Sequence, residues 1–173
     1  MWGRFDVVYS WGVLHHTGDL AGALRRAAAL VAPDGLFIVA LYRKTWMCPF
    51  WRLEKRWYAH ASPRAQAIVR AIYLRLFALG LLVTGRRLKD YVAGYPSHRG
   101  MDFYHDVHDW LGGYPYESMS PAEFETAMSQ MGFGLVRSFA DKGRILARNT
   151  GIFGSGCDEY VCARRNFPMP GTS

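Results

Sequence analysis

The sequence predicts an α/β fold: a parallel strand–helix–strand unit at the start, a helical middle, and a helix followed by an antiparallel strand pair at the end. Three observations carry this. Two short runs rich in β-branched and aromatic residues, 5–11 and 36–42, flank a stretch with helical apolar spacing. Residues 43–99 are strongly basic and read as helices. After residue 119 the chain returns to one capped helix and two further strand-like runs. With 173 residues, half of them hydrophobic and 20% charged, the chain is long enough to bury a core and is not a disordered polymer.

Phe5-Asp6-Val7-Val8-Tyr9-Ser10-Trp11 reads as a buried strand, and Gly12 to Gly18 as a loop. Asp19 is a good helix N-cap. Leu20, Ala23, Leu24, Ala27, Leu30 and Val31 recur at helical spacing, Pro33 stops the helix, and Asp34-Gly35 forms a turn. Leu36 to Tyr42 is the second strand. Two strands joined by a helix within this length form a parallel pair with a right-handed crossover.

Phe50–His60 and Pro63 to about Thr84 are the candidate helices of the middle, the second starting on Pro63 and ending before Gly85. The second is apolar almost all round. Arg70 and Arg75 interrupt it, and the uninterrupted run from Leu76 to Thr84 is too short to cross a bilayer, so a transmembrane helix is not expected. Two readings stand: a core or lid helix, or a membrane-interface helix whose arginines reach anionic headgroups.

Ser120, Pro121 and Glu123 mark another helix start; Phe124, Ala127, Met128 and Met131 give its apolar stripe, and Gly132 ends it. Strands are expected at 133–140 and 158–164, with Gly151, Gly154 and Gly156 in the connector and a frayed tail at 166–173.

The net charge of +7 is uneven. From Arg43 to Arg99 twelve Lys/Arg face two acids, whereas Gly100 to Val136 holds six acids and no Lys or Arg. This pattern suggests complementarity within the chain or an anionic partner, and nucleic acid is disfavoured because no reader motif accompanies the basic residues. Three cysteines exclude a disulfide scaffold and point to a reducing, cytoplasmic compartment, with peripheral membrane contact through the basic helices as the further reading.

Val13-Leu14-His15-His16-Thr17, followed one helix later by Val31-Ala32-Pro33-Asp34-Gly35, gives residues 5–42 their most telling likeness. This stretch resembles the fourth strand, following helix and fifth strand of class I S-adenosylmethionine-dependent methyltransferases, and small-molecule enzymes of the ubiquinone-biosynthesis type carry similar words. Residues 120–165 are similar to the helix and final antiparallel strand pair of that Rossmann-like sheet. The segment Trp110 to Glu117 and the ending Gly156 to Tyr160 look like a bacterial subgroup with helices inserted after the fifth strand.

The resemblance implies one continuous arrangement. Residues 1–42 are the strand–helix–strand remainder of the cofactor-binding domain, 43–119 a basic helical insertion and acidic loop forming a lid and substrate region, and 120–165 the completion of the same sheet. The four strands would take the family's order 4-5-7-6, with residues 43–92 above their carboxyl ends. S-adenosylmethionine is the implied cofactor and a small molecule the methyl acceptor. Ser10, Trp11 and His15 would touch the methionine end of the cofactor. His15 and His16 have three readings: general base, cofactor- or pocket-lining group, or loop packing. His105, Asp109, Trp110, Tyr114, Tyr116 and Glu117 would line the substrate pocket, or belong to a packed loop; two His and two carboxylates within His105–Asp109 also raise a metal reading, which no further ligand cluster supports and which is not adopted.

The family grips the cofactor chiefly through a glycine-rich loop after its first strand and an acid ending its second, both of which would precede residue 1. Gly151 to Gly156 does not replace that loop, since a nucleotide loop must enter a helix and this one leads into a strand. The chain is therefore expected to be the C-terminal part of an enzyme, through a late start assignment or a truncated gene, and inactive alone. Strand 5–11 would then expose one edge and favour self-association. The competing expectation is a non-catalytic module that binds an anionic membrane surface.

Overall fold

The computed structural model describes residues 3–100, 102–139, 151–154 and 156–165, except for the side chains of 98 and 99. The chain divides into two compact units, Met1–Pro49 with Pro115–Ser173, and Phe50–Tyr114.

The first unit is a four-stranded sheet with helices on one face. Strand β1 (Phe5–Trp11) runs parallel to β2 (Val31–Tyr42), which pairs antiparallel with β4 (Cys157–Arg164), which in turn pairs antiparallel with β3 (Phe133–Ser138). The order β1-β2-β4-β3 is the one expected, with the last strand lying between the second and third. Helix α1 (Leu20–Ala29) connects β1 to β2. Alternation along the strands sets the core: Phe37, Val39 and Leu41 of β2 and Tyr160 and Cys162 of β4 point the same way, onto Leu24 and Ala28 of α1 and Phe124 and Met128 of a later helix. Val8 joins them from β1, whereas Phe5, Val7, Tyr9 and Trp11 lie on the opposite face and are exposed.

Two readings of this region change. Helix α1 ends at Ala29, and the expected Asp34-Gly35 turn lies inside β2. The register jumps there: Phe5 pairs with Val31 but Val7 with Leu36, so extra residues bulge out of β2. Pro33 is tolerated because it sits in this bulge. A Cβ on Gly35 would lie 2.8 Å from the Phe5 carbonyl oxygen and 2.9 Å from that of Asp6, so only glycine lets the strands approach.

Asp19 caps α1 as its position predicts, accepting from the Gly22 amide at 2.9 Å. That bond leads the causes that hold its carboxyl below the usual range; burial opposes it, and Arg26 and Arg25 add to the lowering. The last helix of this unit, Pro121–Gln130, starts with a complete capping box: the Ser120 hydroxyl accepts from the Glu123 amide and the Glu123 carboxylate accepts from the Ser120 amide. Gly132 follows it at φ 80°. The predicted strand 133–140 stops at Ser138, and its final residue lies outside the described residues. Gly151, Gly154 and Gly156 lead into β4, not into a helix. The tail 166–173 also lies outside the described residues.

The second unit is helical. Helix α2 (Cys48–His60) enters it, followed by α3 (Pro63–Val83), α4 (Leu88–Arg99) and α5 (Phe103–Gly112). The Pro121–Gln130 helix is thus α6. Ser62 caps α3 and Pro63 takes its first turn. The sequence delimits no individual helix over 88–112, although 43–99 reads as helical in general. In α5 the signal was present: Asp102 is an N-cap accepting from two amides, and Phe103, Val107 and Leu111 are buried at four-residue spacing. His105, Asp106, His108 and Asp109 interleave with that stripe and obscure its period in the sequence. Tyr91 packs edge-on against both Phe77 and Phe103, Tyr95 edge-on against Phe103, and Phe77 and Phe103 lie tilted with centroids 5.7 Å apart. Helix α3 is long and apolar enough by length and composition alone to cross a membrane, although Arg70 and Arg75 interrupt it and its charge-free run is Leu76–Thr84.

Candidate active site

In an open parallel pair, ligands lie beyond the carboxyl ends of the strands. The carboxyl ends of β1 and β2 present Ser10, Trp11, the loop from Gly12 to Gly18, and Tyr42. Ser10 is half-buried and Trp11 exposed, its indole stacked on Tyr9 at 5.8 Å between centroids. Gly12 takes φ 71° as the chain leaves β1, and its amide donates to the Ala40 carbonyl at 3.2 Å, so the loop starts from a fixed point on β2. Leu14–His16 then forms a single 3-10 turn.

The two histidines have different surroundings. His15 is fully buried. Its Nδ1 accepts from the Tyr42 amide at 3.2 Å, which puts the proton of the neutral ring on Nε2. Its ring stacks on Tyr42 at 3.8 Å. His16 is partly exposed, and its Nδ1 donates to the Pro115 carbonyl at 2.8 Å. A carbonyl can only accept, so His16 carries its proton on Nδ1 and its lone pair on Nε2.

Residues 115–117 strap this loop in place. The Glu117 amide donates to the His15 carbonyl at 3.0 Å, and the Glu117 carboxylate accepts from the Leu20 amide at 2.9 Å, adding a second acid at the start of α1. Tyr116 is buried against Tyr42, with centroids 5.3 Å apart, and its hydroxyl lies 3.4 Å from the Cys48 sulfur. Burial raises the Cys48 thiol's pKa, but hydrogen bonds from Ser118, the Thr45 amide, Tyr116 and the Thr45 hydroxyl outweigh it, and the net direction is down. Beside them Arg43 donates through Nε at 2.8 Å to Asp158, itself buried. Burial first, and the Asp158 carboxylate second, push the Tyr160 hydroxyl upward.

Of the residues expected to form the site, His15, His16 and Tyr116 pack around Tyr42 and Glu117 bonds to the His15 carbonyl, while Ser10 and Trp11 end β1 beside Val39 and Ala40 of β2. Tyr42, Cys48 and the Arg43–Asp158 pair were missed. The signal for Tyr42 was its place as the last residue of β2, hence on the rim. The other expected residues belong to the second unit. His105 and Asp109 are exposed on one side of α5, His105 lying 3.3 Å from Asp102. Trp110 is half-buried with the Lys55 ammonium 3.5 Å from its ring centroid, and Lys55 also donates to the Trp110 carbonyl. Tyr114 is partly exposed, edge-on to His60. His108 accepts from Arg70 at 3.0 Å and lies 2.9 Å from the Tyr58 hydroxyl. Among the described residues, no three His, Cys, Asp or Glu side chains come together as a metal site. A shallow groove along α6 and β3, lined by Glu125, Ser129 and Arg165, lies at the opposite end of the sheet from this rim.

A parallel pair joined by a crossover helix and continued by antiparallel strands defines a Rossmann-like α/β arrangement. Comparison with known proteins takes this further. Residues 2–137 match the family described as a methyltransferase domain. A ubiquinone biosynthesis O-methyltransferase of Rhodopseudomonas palustris is 40% identical over 43 residues, which is 25% of this chain and 17% of the relative. The structure of PKMT2 from Rickettsia typhi aligns with 96% of this chain at a TM-score of 0.55 and 12% identity, and the same protein in complex with AdoHcy aligns with 98% at 0.53. The chain spans 37% of the length of that structure. The chain belongs to the methyltransferase-domain family, in its class I S-adenosylmethionine-dependent, Rossmann-like form.

Proposed function

We propose that this chain works as part of an enzyme that transfers a methyl group from S-adenosylmethionine to a small molecule, with residues 10–17 forming the rim against the methionine end of the cofactor. The observation that carries the reading is the family match over residues 2–137 together with the position of this loop at the carboxyl ends of a parallel strand pair. The rim suits one end of such a ligand: a half-buried Ser10 hydroxyl, an exposed Trp11 indole, and at Gly12 a backbone where an added Cβ would meet nothing within 4 Å. When bound, the cofactor supplies an electrophilic methyl carbon on sulfur.

This chain's residues then position and deprotonate. His15, fixed through Nδ1 and stacked on Tyr42, holds the loop. His16 presents the Nε2 lone pair and would be the general base, holding on that atom the proton given up by the methyl acceptor. Tyr116 and Glu117 hold the loop.

The rim is one side of a site, and neither strand-to-helix junction among the described residues carries a glycine-rich nucleotide turn. The 173 residues alone are therefore proposed to hold the cofactor weakly and to lack turnover. Ultraviolet crosslinking with radiolabelled S-adenosylmethionine tests the assignment. Label is expected on the tryptic peptide 5–25; label confined to the peptide containing Gly151–Gly156 would refute it.

A further inference from the structure

We propose that the outward face of α3 docks on an anionic lipid surface. A helix on the surface of a water-soluble unit turns its polar face outward. Helix α3 does the reverse. Ile68, Ile72, Leu76, Leu79, Leu82 and Val83 are all exposed, from 49% at Ile72 to 87% at Val83. Their spacing of three to four residues places them on one continuous stripe, while Tyr73, Phe77 and Leu81 face the unit's interior. The same inversion recurs on α2, where Phe50, Leu53 and Trp57 are exposed at positions three and four apart. A tryptophan on such a face suits the headgroup level of a bilayer.

The charge around the stripe identifies the partner. From Lys55 to Lys89 there is no Asp or Glu. Arg64 lies at one end of the stripe, Arg75 midway, and Arg86, Arg87 and Lys89 beyond the other end, all exposed. Arg52 and Arg56 border the α2 stripe and are exposed too. An apolar stripe bounded by cations, with acids excluded, matches an acyl boundary beneath anionic headgroups. A protein partner of ordinary composition offers no such uniform complement. The arginine within the stripe and the cations at both ends favour a helix lying in the interface over one crossing the bilayer. This inference stands apart from the methyl-transfer reading, since it rests on the helical unit alone.

Co-sedimentation of the 173-residue chain with phosphatidylcholine vesicles, with and without about 30 mol% phosphatidylglycerol, tests it. Binding is expected at least about tenfold stronger to the anionic vesicles at ~0.1 M salt, and largely lost at ~1 M, where screening shortens to a few ångströms. The Ile72→Glu/Leu79→Glu pair is expected to abolish binding. Arg86→Ala/Arg87→Ala, which leaves the apolar stripe intact, is expected to weaken it by about 25-fold, roughly fivefold per cation. This second pair decides the matter should the first lose helicity by circular dichroism. Equal binding to neutral and anionic vesicles, no binding at low salt, or binding that survives both high salt and alkaline wash would overturn the proposal. So would a dimer that Leu79→Glu dissociates, which would assign the stripe to a second copy of the chain.

Discussion

His16 and His15 are neighbours in sequence, yet their ring nitrogens are set for different work by what each Nδ1 meets. Nδ1 of His16 donates to the Pro115 carbonyl, and Nδ1 of His15 accepts from the Tyr42 amide. In a chimera joining this chain to the N-terminal strands of a homologous methyltransferase domain, His16→Gln is expected to lower kcat about 10²–10⁴-fold while cofactor affinity is kept. An unchanged kcat would remove His16 as the base. Glu117→Ala removes one of the two carboxylates at the start of α1 and is expected to cost about 1–2 kcal/mol in urea denaturation. The His-His pair was visible in the sequence, but the tautomers were not, because they depend on Tyr42 and Pro115, which lie 27 and 99 residues away.

At the scale of elements, caps and periodicities were legible wherever the signal is local. The bounds of strand β1, the Asp19 cap and the whole start of α6 match their expectations because each depends on residues within a turn, whereas β1, read as a buried strand, exposes Phe5, Val7, Tyr9 and Trp11 because no layer covers that face of it among the described residues. The β2 bulge was not legible: Gly35 is required by the Phe5 and Asp6 carbonyls of another strand, and looks like an ordinary turn residue in isolation. Helix α5 shows a third case, where chemistry-bearing residues masked an apolar stripe.

The α6 capping box gives a pH prediction. Hydrogen bonds from Lys44, and then from the Ser120 amide, bring Glu123 down to about 2 from an ordinary 4.5. Its contribution to stability is therefore present above about 4.5 and lost as pH falls from 4.5 towards 2. The residue is largely exposed, so the effect is modest. Glu123→Gln should flatten that part of the stability–pH curve, and an unchanged curve would count against the box. Beneath it, Phe124 is fully buried and stacks on Tyr160 at 3.9 Å. Phe124→Ala is expected to cost about 3–5 kcal/mol, read by chemical denaturation.

For the whole molecule, the basic middle was readable because charge needs only counting, whereas the sheet order was readable only through the family resemblance, since local patterns do not fix which strands pair. What the helical unit exposes was not readable: a run that is apolar all round does not tell which side will be covered. Strand β1 raises a comparable question. It pairs only with β2 among the described strands and leaves Phe5, Val7, Tyr9 and Trp11 exposed. Such an edge is a template for another chain. Sedimentation velocity is expected to show concentration-dependent association that Val7→Lys suppresses; a monomer at all concentrations would dismiss it.

The central proposal is that residues 10–17 form one rim of an S-adenosylmethionine site and do not by themselves hold the cofactor tightly. Titration calorimetry tests it most directly, with S-adenosylmethionine added to the 173-residue chain, to the chimera, and to the chimera carrying Ser10→Ala and Trp11→Ala. The account predicts no tight binding to the chain alone, micromolar binding to the chimera, and at least about a tenfold loss, near 1.4 kcal/mol, in the doubly substituted chimera. Tight binding to the 173-residue chain alone, or undiminished binding after both substitutions, would contradict it.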